Sequence, residues 1–146
     1  MADLYSIVGV FDEVFRLVPF GGYFVRGLKG CSQNQIVGQI VDRYGQSKIE
    51  GQLDEENGLL EFRKQYMGCN SEQVFDYKFS LEKGIWQGRF SSPSRDWSGR
   101  SSCKIDLFRK LIEKSPGECS EIELVAGAIM AGLVEVVEGS ETEQED

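Results

Sequence analysis

The sequence predicts a mostly-β domain of the α+β class. It is an antiparallel meander of about seven strands that forms a barrel or a strongly curled sheet, flanked by an N-terminal and a C-terminal helix. Three observations predict this. Apolar and polar residues alternate at period two from about residue 23 to 108, short turn-rich links separate the alternating runs, and on both sides of the block the apolar spacing lengthens to three- and four-residue steps. The 146 residues make one domain's worth of chain, predicted to span 1–138, and folding at that size buries roughly 68–70% of the unfolded surface. A content of 40% hydrophobic and 27% charged residues fits a globular domain.

In the first segment Leu4, Ile7, Phe11, Val14 and Val18 recur at helical steps, widened by Val8 and Phe15. Asp3 can cap it, and Pro19 with Gly21-Gly22 ends it, which predicts a helix over 4–18. A strand pair competes, because Val, Ile and Phe are frequent here. The meander follows as candidate strands 23–29, 35–44, 47–54, 59–67, 73–81, 85–91 and 102–108. Gly45-Gln46, Asn57-Gly58 and Lys83-Gly84 sit where hairpin turns belong. The longest link, Ser91–Ser102, contains Trp97 and reads as a loop packed over a barrel end or as a binding loop. After Pro116-Gly117 the stripe Ile122, Val125, Ala126, Ile129, Leu133 and Val136 predicts a helix over 118–138 that needs a surface to pack on. Residues 139–146 hold no large apolar side chain and are predicted to be a disordered acidic tail.

Composition narrows the chemistry. Histidine is absent, which excludes a Ser-His-Asp or Cys-His nucleophile and any histidine metal site. The cysteines Cys31, Cys69, Cys103 and Cys119 are 38, 34 and 16 residues apart, without a C-x-x-C pair, so no metal site and no cofactor is predicted. All 16 basic residues lie before residue 118, whereas residues 118–146 hold nine acidic and no basic ones. The body is near neutral and lacks the basic footprint of a nucleic-acid binder. No apolar run approaches the ~20 residues of a membrane span, and no secretory signal is visible, so a cytoplasmic protein with free thiols and no membrane partner is expected.

Alternation assigns the strand faces. The inward set comprises Ile49, Gly51 and Leu53; Leu60, Phe62, Lys64 and Tyr66; Phe75, Tyr77, Phe79 and Leu81; Trp86, Gly88 and Phe90; and Cys103, Ile105 and Leu107. If Ile36, Gly38 and Ile40 point inward, so do Asp42 and Tyr44. The inward glycines Gly38, Gly51 and Gly88 mark kinks or room for a large neighbour, or alternatively leave a cavity. Lys64 must snorkel at an open barrel end, the simpler expectation, or pair with a carboxylate such as Asp42, because a lone buried ammonium is costly.

The motifs Ile49-x-Gly51, Asn57-Gly58, Leu60-x-Phe62-x-Lys64-x-Tyr66 and Gly84-Ile85-Trp86-x-Gly88 resemble the successive hairpins of lipocalin- and avidin-like small barrels over about residues 45–90. The resemblance implies a cup-shaped antiparallel barrel of the kind that holds a small hydrophobic molecule, without fixing which one. The combined expectation is a small intracellular, non-catalytic binding module for an apolar or aromatic molecule, with Asp42, Phe62, Lys64, Tyr66, Tyr77, Phe79 and Trp86 as ligand-binding residues. The alternative is a protein-interaction or assembly module using the terminal helices or the Trp97 loop, with a homodimer as its simplest form. An enzyme using Lys64 as base or Schiff-base amine ranks third, since no second motif fixes a reaction.

Overall fold

The computed structural model describes residues 2–28, 30–68, 73–94 and 96–111. They form eight strands: β1 (Ala2–Glu13), β2 (Arg16–Arg26), β3 (Gln35–Asp42), β4 (Gly45–Asp54), β5 (Leu59–Tyr66), β6 (Val74–Glu82), β7 (Ile85–Ser91) and β8 (Ser98–Leu111). Each strand pairs antiparallel with the next, and β8 returns to pair with β1, so the sheet closes into an up-and-down barrel without a free edge. This is the architecture of lipocalin-like small barrels. The predicted C-terminal helix over 118–138, the tail over 139–146, Cys69 and Cys119 lie outside the described residues.

The expected N-terminal helix is a β-hairpin instead. Residues 2–13 and 16–26 pair from Asp3↔Arg26 to Glu13↔Arg16, leaving Val14-Phe15 as a two-residue turn. The helical spacing of Leu4, Ile7, Phe11 and Val18 coexists with a period-two set, Tyr5, Ile7, Gly9 and Phe11, and only the latter lets β1 join both β2 and β8. The turn carries no Gly or Asn to announce it: Phe15 itself takes the left-handed conformation, φ 66°. The strand count is therefore eight rather than seven. Of the expected turns, Lys83-Gly84 is a two-residue turn with positive φ at both positions, and Asn57-Gly58 closes the β4–β5 link. Gly45-Gln46 is not a turn. Asp42 pairs with Gly45, so Arg43-Tyr44 turns and Gly45 opens β4.

Alternation sorts the interior as expected over β3–β7, apart from Leu81, and Leu107 of β8 is also exposed although its partner Tyr5 is buried, next to the point where the β1–β8 register shifts. Rings fill the barrel. Phe62 stacks on Tyr77 at 5.1 Å, Tyr77 on Phe90 at 5.4 Å, and Phe90 meets Phe11 edge-on at 5.6 Å. Eight strands enclose a width that side chains can fill. The inward glycines are where that filling is tightest. Gly9 opposes Phe20, Gly38 opposes Phe24, Gly51 opposes Phe62, and Gly88 opposes Phe79. A Cβ on Gly88 would lie 1.7 Å from the Lys78 carbonyl oxygen, and one on Gly51 would lie 2.0 Å from that of Glu61. These glycines serve close strand approach beside a ring, not a deep cavity. The end formed by the β2–β3 and β4–β5 links is closed by Glu55, which accepts from Tyr5 Oη at 2.5 Å and from Arg26 at 2.8 Å, while Arg26 also donates to Asn34 at 2.8 Å.

Candidate functional site

The site lies at the opposite end, where the β1–β2, β3–β4, β5–β6 and β7–β8 connections gather. Alternation along β5 aims Lys64 and Tyr66 inward, and the last inward position of β3 is Asp42. The three meet: Lys64 Nζ donates to Asp42 Oδ2 at 2.6 Å and to Tyr66 Oη at 2.8 Å, and Tyr66 Oη donates to the same Asp42 oxygen at 2.6 Å. The Lys64 side chain is 1% exposed and the Asp42 side chain is fully covered. Lys64 therefore does not snorkel. It is a buried, paired ammonium, and aromatic faces add to its enclosure: Nζ lies 4.4 Å from the Tyr66 ring centroid and 4.7 Å from that of Phe11.

Burial sets the electrostatics. Loss of water lowers the Lys64 pKa below its ordinary value, with the Asp42 carboxylate pulling the other way. Burial pushes the Tyr66 hydroxyl well above the usual tyrosine range, helped by Asp42, and does the same for Tyr77. Both phenols are thus protonated donors. At the rim Tyr44 donates to Glu13, which also holds Arg16 at 2.7 Å. That hydrogen bond from Tyr44 is the main reason the Glu13 carboxyl titrates below its ordinary value.

Above Lys64 is a cavity of about 120 Å3. Its floor is Lys64, Tyr66 and Tyr77; its walls are Phe11, Phe75 and Phe90; its rim is Glu13, Tyr44, Gln73 and Trp97. Trp97 stands edge-on to Phe75 at 6.1 Å, held by reciprocal bonds with Ser92, whose backbone N–H donates to the Trp97 carbonyl at 2.8 Å. The β7–β8 connection is shorter than the expected 91–102 loop, because β8 begins at Ser98.

Of the seven expected ligand-binding residues, Lys64, Tyr66 and Tyr77 line the cavity and Asp42 backs Lys64. Phe62, Phe79 and Trp86 are packed into the core and do not reach it. Phe11 and Glu13 also line the cavity but carry no signal for it in the sequence, because they fall in the segment with helical spacing, whereas Phe75 and Phe90 belong to the inward set that alternation predicts. Among the described residues no group of three or more Cys, Asp or Glu side chains is placed to hold a metal ion. No protein-family model, curated protein or solved structure matches this chain.

Proposed function

We propose that the protein is a binding module whose barrel mouth takes one small, neutral, ring-bearing molecule with a hydrogen-bond acceptor, and that it belongs with the lipocalin-like barrels in use as well as in shape. One observation carries the reading: a ring-walled cavity with a buried, ion-paired lysine on its floor. Ligand sites combine apolar walls with few fixed polar groups. A volume of about 120 Å3 suits a single ring, since a dry apolar cavity of ~150 Å3 accepts benzene. The ammonium has three N–H donors and gives one each to Asp42 and Tyr66, leaving a third for an acceptor in the cavity that Tyr77 also lines. Both ion pairs at the site, Lys64–Asp42 and Arg16–Glu13, carry no net charge, which favours a neutral ligand over an anion.

Benzamide is a suitable probe. In an NMR titration it should shift Phe11, Tyr66, Tyr77 and Phe90 resonances saturably, and benzoate should bind more weakly. Tyr77→Phe should weaken benzamide by about five- to tenfold, the worth of one hydrogen bond of ~1 kcal/mol. Equal binding of benzoate, or no shift at these rings at millimolar benzamide, would remove the proposal.

A further inference from the structure

The part of the outer surface of β1–β3 nearest the β2–β3 link is buried although the barrel is a single layer, whereas Val8, Leu17 and Val41 further along the same strands are exposed. Along β2 and β3 the inward residues are Phe24, Ile36, Gly38 and Ile40, so Val25, Val37 and Gln39 point outward. Yet Val25 is 0% exposed, Val37 2% and Gln39 6%. Val25 and Val37 form a second apolar cluster with Ala2, Leu4 and Leu28, separate from the barrel core, with Tyr23 packed against it. Leu28 comes from the β2–β3 link and borders the lower part of this face. Gln39 is paired with Tyr23, one outward position further from that link, and its buried side-chain oxygen has no hydrogen-bond partner. A buried amide oxygen aimed away from the barrel marks a face that something covers. Among the described residues no second sheet or helix lies above it.

We infer that residues 118–138 of this same chain cover the face as an amphipathic helix, laying Ile122, Val125, Ile129 and Leu133 on Leu4, Tyr23, Val25, Val37 and Gln39. The stripe has the spacing of one helix face, and its two glycines leave it in need of a packing surface. Chain geometry permits the contact. β8 ends at Leu111 opposite Ala2, beside the patch. From there β2 is two strand spacings away, about 10 Å. The intervening residues 112–117 reach up to ~20 Å. A helix over 118–138 is ~30 Å long, enough to run along the face. The outward Glu121, Glu123 and Glu135 then remain in water.

Limited digestion of the full chain with a Glu-specific protease tests this, with cleavage at Glu141 and Glu143 in the tail as the internal reference. Cleavage after Glu121 and Glu123 should be slower than in the tail by roughly tenfold or more, because a docked segment must open before it is cut. Ile129→Lys, and separately Val37→Lys, should bring it to the tail rate. Val8→Lys, an outward position that is 64% exposed, should leave it unchanged. Ile129 follows β8 in the sequence and belongs to none of the eight strands, so its variant remains informative even if Val37→Lys fails to fold. The inference is overturned if Glu121 and Glu123 are cut as fast as the tail in the unmodified chain, or if Ile129→Lys leaves them protected. Protection that disappears on dilution, with light scattering reporting two chains, would instead assign the face to a second copy and also overturn it.

Discussion

Lys64 is the residue on which the interior turns. An ammonium 1% exposed survives among rings because Asp42 and Tyr66 take two of its donors. Removing one partner leaves a buried charge, so Asp42→Asn should cost about 3–5 kcal/mol in urea unfolding. Pairing it with Lys64→Met should cost clearly less than the two single changes added together, since the double variant buries no charge. Cys103 supplies a prediction in pH. It is a buried thiol whose pKa is pushed from 9.0 up to about 12 by desolvation. Between those values the unfolded chain releases the proton and the folded chain keeps it, so stability is full below pH 9 and falls as pH rises toward 12. The thiol's share of that loss is on the order of 4 kcal/mol, and Cys103→Ala should flatten the alkaline limb accordingly. Lys64 has the opposite sign: its lowered pKa makes stability rise as pH climbs toward 10.5. Comparing the unmodified protein with Cys103→Ala isolates the thiol.

Among the strands, glycine placement and turn chemistry decide where the barrel can close. Gly88→Ala would force a Cβ to 1.7 Å from a backbone oxygen, whereas at Gly21 the nearest neighbour of such a Cβ is 3.7 Å away. Thermal unfolding should therefore show Gly88→Ala losing about 2 kcal/mol or more and Gly21→Ala remaining nearly neutral. At the β1–β2 tip Phe15 is fully exposed with φ 66°, so it packs on nothing and carries left-handed backbone strain. Phe15→Gly should stabilise the protein by about 0.5–1 kcal/mol. The same residue hides the β1–β2 hairpin in the sequence. A hairpin is legible when its turn advertises positive φ, as Lys83-Gly84 does, and is hidden when a phenylalanine does that work. From β3 to β7, alternation placed strands within a few residues because one face is interior throughout.

For the molecule as a whole, closure converts a readable meander into a filled vessel. The pairing of β1 with β8 joins residues about a hundred positions apart, and nothing local in the sequence encodes it. Alternation could say that Phe62, Phe79 and Trp86 face inward, but not that they pack into the core rather than line the cavity above Lys64. The pairing of Lys64 with Asp42 was one of two readable options, and depth within the barrel decided between them. Intermolecular NOEs from benzamide to the folded protein test the mouth site most directly. They should connect its ring protons to Phe11, Phe75 and Phe90 and vanish when the mouth is blocked by Phe75→Trp. NOEs to Phe62, Phe79 or Trp86 instead, or none beyond the exposed Phe15 tip, would contradict a filled barrel with its binding site at the mouth.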